Sequence, residues 1–244
     1  MNVTNNIVIS LFDYTGEALR PWAAAGYECI AFDVQHDAHG RVDERGIKYI
    51  HADLSTIQRA DSALRAALGD EWRDRVVFVL GWPPCTDLAV SGARWWARKA
   101  QANPRFQHDA VEMAKVVSWT GYAAYCPWVL ENPVGALSTL WRAPDYTFDP
   151  CQYGGYIPAA DAVHPCWPEY IPPRDAYRKR TCYWAGNGFV MPVMRPVEPE
   201  ILTDSAGNRG SRQWKKLGGK SQRTKNIRSA TPRGIAIAIQ SANT

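Results

Sequence analysis

The run Val76-Val77-Phe78-Val79-Leu80-Gly81 ends abruptly at Trp82-Pro83-Pro84-Cys85. A short apolar, β-branched run stopped by a proline pair reads as a buried strand that delivers a rigid turn at its carboxyl end. Ligands of open α/β sheets bind at the carboxyl ends of the strands, so the thiol of Cys85 falls where chemistry is expected. A thiol held there is a candidate nucleophile; a buried, inert cysteine is the commoner fate of the residue.

The preceding sequence supplies more of the same sheet. Ile7–Phe12 has a strand pattern, followed by Asp13-Tyr14-Thr15-Gly16, a helix-like stretch to about Ala25, and a second strand, Glu28–Phe32, ending at Asp33. This is a β-α-β unit with an acid at the tip of its second strand, the spacing that holds ribose hydroxyls of a nucleoside ligand. A third strand, Lys48–His51, runs into Asp53, with Ser55 as cap of a helix over 56–68. A long helix is expected over Phe106–Tyr125, then a fifth strand from Pro127 to Leu130 closing in Glu131-Asn132-Pro133.

From Arg142 to Pro173 seven prolines and many aromatics interrupt any periodicity, which reads as an ordered irregular connector. Arg180–Trp184 resumes a strand, Gly186-Asn187-Gly188 has hairpin-turn chemistry, and Pro232–Ser241 is helix-like, capped by Ser229 or Thr231. The expected organisation is a catalytic α/β domain over 1–188 with its connector at 142–175, a small basic region over 189–228, and a C-terminal helix within 229–244 returning to the first domain.

Charge is uneven. Of the chain's 28 Lys/Arg, nine lie between Ser205 and Thr244, where none of the 24 Asp/Glu falls. A basic segment on an otherwise acidic chain is the footprint of a polyanion such as a phosphate backbone, or else a solvated tail. Trp214, Gly210, Gly218 and Gly219 within it favour a folded, contacting loop. The six cysteines are scattered, which suits a reducing compartment, and the Met1–Asn6 start has neither the basic nor the apolar part of a secretory leader. Cys151, His164, Cys166 and Cys182 fit no compact zinc pattern, and no metal is expected.

Three sets of residues are expected at strand ends: Cys85, Glu131-Asn132 and Arg178-Lys179-Arg180. In this order and spacing, the chain resembles the cytosine-5 DNA methyltransferases, from Leu11 to about Ile239. The resemblance implies a Rossmann-like fold that uses S-adenosylmethionine, in a short form with a reduced recognition region. Leu11-Phe12-Asp13-Tyr14-Thr15-Gly16 is similar to the family's first motif but lacks its second and third glycines. By the same resemblance Asp33 holds the cofactor ribose, Asp53 faces adenine, and Pro83-Pro84-Cys85 is the nucleophile turn. Ser91-Gly92 matches the mobile loop, Glu131-Asn132-Pro133 the Glu-Asn motif, and Arg178 and Arg180 the paired arginines, with Ala176 where a glutamine usually precedes them. Ser229–Gly234 stands at the last motif without its Gly-Asn start.

The implied catalytic set is Cys85, Glu131, Arg180 and Arg178; the cofactor set is Phe12, Gly16, Asp33, Asp53, Pro83, Asn132 and Thr231. Cys85 would add to carbon 6 of cytosine, Glu131 would bond N3 and the exocyclic amine, and Arg180 would fix the base carbonyl and favour the thiolate. A duplex substrate would need its base flipped. The expected nucleic-acid contacts are Ser91, Arg94, Trp95 and Arg98 on the loop after Cys85, with Trp96 beside them, and Arg209, Arg212, Lys215, Lys216, Lys220 and Arg223 in the basic region. The small region suggests a target of about two to four base pairs. The expected partner is double-stranded DNA, with no membrane and a monomeric protein, in the cytoplasm of a bacterial or phage-infected cell. The alternatives are RNA or a free cytosine nucleotide as substrate, amino-group methylation, or a degenerate nucleic-acid-binding module.

Overall fold

The computed structural model describes residues 6–218 and 221–244. The strands are β1 (Ile7–Leu11), β2 (Glu28–Asp33), β3 (Arg41–Val42), β4 (Lys48–His51), β5 (Val76–Gly81), β6 (Trp128–Pro133), β7 (Tyr146–Phe148), β8 (Thr181–Gly186), β9 (Leu202–Thr203) and β10 (Arg209–Gly210). The α-helices are α1 (Arg20–Ala24), α2 (Ile57–Leu68), α3 (Trp72–Arg75), α4 (Trp96–Ala102), α5 (Phe106–Ala123), α6 (Leu137–Leu140), α7 (Arg212–Lys216), α8 (Gln222–Ser229) and α9 (Arg233–Ala242).

Among the described residues two compact units emerge: those up to 147 with 181–189, and 148–180 with those from 190 onward. The division differs from the expected one, because most of the proline-rich connector belongs with the basic region rather than with the first domain. The reason is local. Irregular backbone has no ladder of its own, and here it bonds to the later segment: the Val197 amide donates to Cys151 O at 2.8 Å and the Gly155 amide to Arg195 O at 2.8 Å.

The first unit is a mixed α/β, Rossmann-like fold. Its sheet runs in the order β3-β4-β2-β1-β5-β6-β8-β7 among the described residues. Strands β4, β2, β1, β5 and β6 are mutually parallel, and β8 is antiparallel to β6. The apolar alternation that breaks down in β1 and β5 is explained by burial on both faces: all five residues of β1 are buried. Ile9, Leu11, Ile30, Phe32, Val79 and Leu130 of the strands meet Leu64 and Leu68 of α2 and Ala114 and Val117 of α5 in one core. Gly81 lets α5 lie close, since a Cβ there would stand 2.3 Å from Val117 Cγ2.

Several sequence expectations are corrected. Thr56, not Ser55, caps α2, accepting from the Arg59 amide. Helix α5 stops at Ala123, two residues early, where Tyr125 takes a left-handed φ of 51°. Asn187 and Gly188 do form a left-handed turn, but among the described residues β8 neighbours β6 and β7 and no strand after the turn pairs back on it. Trp95 and Trp96 stand in a 3-10 helix (Val90–Trp95) and in α4 rather than in an irregular loop. No helix among the described residues is long and apolar enough to cross a membrane.

In the second unit Phe148, Tyr153, Tyr177, Ile227, Ile235 and Ile239 are buried. Helix α9, expected to return to the first domain, is grouped with the second unit and packs on its short 3-10 turns Pro150–Gln152, Gly154–Tyr156 and Pro173–Asp175. Pro232 is its N-cap with no side-chain bond, so neither Ser229 nor Thr231 caps it. Asp175, buried, accepts from the Gly234 amide at 3.0 Å, and burial pushes its carboxyl up.

Candidate active site

Strand β1 lies between β2 and β5, so the direction of the strand order reverses at β1, and the carboxyl ends of β1 and β5 are where open α/β sheets hold their ligands. On the β1 side Phe12 adopts φ 58°, a left-handed conformation that costs a bulky residue on the order of 1 kcal/mol. Gly16 has φ 68°, and a Cβ there would lie 2.3 Å from Tyr49 Oη, so only glycine fits. Between them the Asp13 carboxylate is buried. Its Oδ1 accepts from the amides of Thr15 at 3.0 Å and Gly16 at 2.8 Å and from Thr15 Oγ1 at 3.2 Å. Its Oδ2 accepts from Ser10 Oγ at 2.7 Å. Burial pushes this carboxyl above the ordinary carboxylate value, with the hydrogen bonds opposing.

The same network reaches the cysteine turn. Trp82 Nε1 donates to Ser10 Oγ at 2.9 Å, and the Trp82 amide donates to Leu11 O at 3.0 Å. Cys85 follows three residues on and is exposed, its carbonyl accepting from the amides of Leu88 and Ala89. Four of the other five thiols are buried, and desolvation pushes Cys29 and Cys126 up to about 12. Those are small hydrophobes in practice; Cys85 and Cys166 are the thiols open to a reactant.

Strand β6 brings in the next pair. Gly81 pairs with Leu130, so Glu131 and Asn132 continue beside Trp82 and Pro83. Asn132 is fully buried and its Nδ2 donates to Pro83 O at 3.2 Å. That bond clamps the proline turn to β6 and fixes the rim on which Cys85 and half-buried Glu131 sit. The structure therefore brings together Phe12, Gly16, Pro83, Cys85, Glu131 and Asn132 of the expected residues.

Asp33 ends β2, buried, with Oδ1 accepting from the Gln35 amide at 2.7 Å. Next to it His36 is buried, donating from Nε2 to Asp13 O at 3.0 Å and stacking on Tyr14; burial pushes its pKa down. Asp53 is more exposed. Its Oδ1 closes a turn with the Ser55 amide at 2.9 Å, and its Oδ2 pairs with Arg59 on α2. A shallow open hollow is lined by Asp53, Arg59, His51 and Ser62.

Beyond the turn, Ser91 and Arg94 are exposed, with the Arg94 guanidinium 5.1 Å from the Trp95 ring centre. Trp95 is 40% exposed and Arg98 is exposed on α4, while Lys99 pairs with Asp87. None of the four expected contacts here is consumed by the core.

The remaining expected residues belong to the second unit. Arg178 and Arg180 are exposed, Arg180 lying 3.9 Å from Asp149, and Thr231 is buried. In the basic segment Lys216 and Arg223 are exposed, and Arg223 donates to Tyr170 Oη at 3.5 Å. Two of the expected nucleic-acid contacts are engaged in ion pairs: Arg212 Nε donates to Glu200 at 2.8 Å, and Lys215 Nζ lies 2.6 Å from Asp204. The acids lie just upstream of the acid-free window, which is why a count over that window missed them. Lys220 lies outside the described residues. Of the four residues weighed as a zinc set, His164 spends Nδ1 on the amides of Cys166 and Trp167, and Cys182 belongs to the first unit.

Sequence reasoning missed Ser10, Asp13, His36, Tyr49 and Trp82 as a group. The only local signal was an Asp three residues before Gly16, the spacing of a side chain that caps backbone amides.

No family model and no curated protein sequence matches this chain. Among solved structures it is similar to two doubly substituted variants of a Serratia marcescens short-chain dehydrogenase/reductase, at 12% and 13% identity with TM-scores of 0.27 and 0.28. Each alignment covers 47% of this chain, and 53% and 52% of those chains. It is also similar to 3-ketoacyl-(acyl-carrier-protein) reductase from Brucella melitensis complexed with NADH, at 17% identity and a TM-score of 0.25, over 44% of this chain and 52% of that one. The chain thus spans about half the length of these structures, and the likeness bears on neither substrate nor cofactor.

Proposed function

We propose that this protein is an S-adenosylmethionine-dependent methyltransferase acting on carbon 5 of cytosine in DNA. The observation that carries this is the clamp of the Pro83-Pro84-Cys85 turn onto β6 by Asn132, which places an exposed thiol on the same rim as Glu131.

These strand ends fit a nucleoside ligand that has no phosphate at the β1 turn. A dinucleotide is normally held by free amides of a Gly-rich turn and the helix that follows. Here the Thr15 and Gly16 amides already donate to the buried Asp13 carboxylate, and a pyrophosphate would meet an acid. S-adenosylmethionine carries no phosphate and is cationic at sulfur, which suits that environment. Phe12, Gly16, Asp33, Asp53 and Pro83 would hold it, and when bound it supplies the methyl group as an electrophile. Thr231 comes to this set from the resemblance alone.

The chain's own residues do the rest. The Cys85 thiolate adds to carbon 6 of the base, so that the ring electrons make carbon 5 nucleophilic. Glu131 hydrogen-bonds N3 and the exocyclic amine as charge develops there. After methylation, solvent removes the carbon 5 proton and the electron pair expels Cys85, restoring the ring. Arg180 comes to the mechanism from the resemblance alone, and Arg178, which lines a cleft of the second unit, is given no step in it. Pro83 and Asn132 keep the thiol in place and exclude slack from the turn.

The test is transfer of labelled methyl from cofactor to DNA, with the nucleoside product identified by mass spectrometry. Wild type yields 5-methylcytosine and Cys85→Ala yields none; equal activity in the two removes the thiolate mechanism.

A further inference from the structure

We propose that the second unit carries a nucleotide-binding subsite of its own, in the cleft lined by Arg178, Arg209, Gly210, Ser211 and Trp214. It rests on the nucleic-acid substrate proposed above, and adds where a strand is gripped and by what chemistry. A base of the strand stacks on the Trp214 indole while the Arg178 and Arg209 guanidiniums hold its phosphate.

The cleft has a volume of about 370 Å3, room for one nucleotide. Trp214 is 61% exposed, an expensive way to display a large aromatic unless something covers it. The indole is nonetheless held. Ser211 caps α7 by accepting from the Trp214 amide at 3.3 Å. Lys215 Nζ sits 4.6 Å from the ring centre and is tethered to Asp204. Gly210 lets the ring close on the β9–β10 hairpin, since a Cβ there would lie 2.5 Å from the ring atom Cε3. A platform fixed before the ligand arrives loses little entropy on binding.

The charges sort the same way. The one acid in the cleft wall, Glu200, is engaged at both oxygens by Arg212, so it does not oppose a phosphate. The Arg178 and Arg209 side chains are exposed on the cleft wall, and Arg209 is held there by the pairing of its backbone with Thr203. An acidic peptide would use the guanidiniums but not the indole, and an apolar ligand the reverse. A nucleotide uses both, and stacking tolerates any base.

The experiment is fluorescence anisotropy of labelled single-stranded and duplex oligonucleotides with the full chain, over a salt series. Loss of one stacked base is worth about 5- to 150-fold in affinity, so Trp214→Ala weakens binding within that range while Trp214→Phe stays within a few-fold of wild type. Arg209→Ala lowers the slope of log affinity against log salt by about 1, and Trp214→Ala leaves the slope unchanged. Wild-type binding by Trp214→Ala, or displacement of the oligonucleotide from wild type by a polyglutamate peptide at similar concentration, overturns the proposal. Neither readout needs cofactor or methyl transfer. Failure of the methyltransferase assignment would instead appear as wild-type protein that binds oligonucleotide but transfers no methyl.

Discussion

Removing the Ser10 hydroxyl should show how tightly the β1 turn and the cysteine turn are joined. In Ser10→Ala the Trp82 indole N–H loses its acceptor at 2.9 Å, and Asp13 Oδ2 loses its donor at 2.7 Å. Ser10 is fully buried and Trp82 nearly so, leaving little water to compensate. A buried donor left unmade costs about 1–3 kcal/mol, and the weakened support of the carboxyl group about another 1 kcal/mol, so the variant should lose roughly 2–4 kcal/mol. Trp82→Phe removes the other end of the same bond and some packing volume, for about 1–3 kcal/mol. Because both variants break one shared bond, the double variant should be more stable than the sum of the two losses allows, by about 1 kcal/mol or more. Urea unfolding followed by far-ultraviolet circular dichroism measures all four corners of the cycle without relying on emission from eleven tryptophans. Additivity within about 0.5 kcal/mol would refute the coupling, and with it the idea that the Asp13 turn steadies Cys85.

Asn132→Ala, which removes the clamp on Pro83, should cost about 1–2 kcal/mol of stability by urea unfolding and lower kcat of methyl transfer about 10- to 100-fold in the labelled-methyl assay. Gly16→Ala adds a Cβ against Tyr49 at φ 68°, and should cost about 1–3 kcal/mol by thermal unfolding while weakening cofactor binding measured by calorimetry. Asp13→Asn should alter the pH dependence of stability. Burial raises the folded-state pKa of Asp13, so the stability it contributes is full below its ordinary value of 3.8 and declines as pH rises through the folded value. The variant lacks that decline: relative to wild type it should gain stability at pH 8 over pH 4, and a parallel pair of stability–pH curves would contradict the assignment.

How far the sequence carries differs between the two units. Strands β1, β2, β4, β5 and β6 were legible because they are short apolar runs ended by Gly, Asp or Pro, and each was found within a residue or two. Cys85 and Glu131 were legible as strand-tip residues for the same reason. The edge strands β3 and β7 were not, since two or three residues carry no periodicity and depend on a neighbour for every hydrogen bond. The second unit was misdivided because its cohesion lies in bonds between segments forty or so residues apart, such as Tyr153 Oη to Pro192 O.

The sequence by itself determined a parallel α/β core, because burial on both faces leaves an unbroken apolar run that needs no partner to be recognised. It also determined that a cysteine stands at a proline-stiffened strand end. Only the tertiary structure decided that this turn is tied through Trp82 and Ser10 to a buried acid, and that Asp13 fills the amides a phosphate would take. It alone decided, too, which basic side chains are spent on internal ion pairs. Those outcomes depend on side chains brought together across as many as 72 residues of chain, and no local pattern records them.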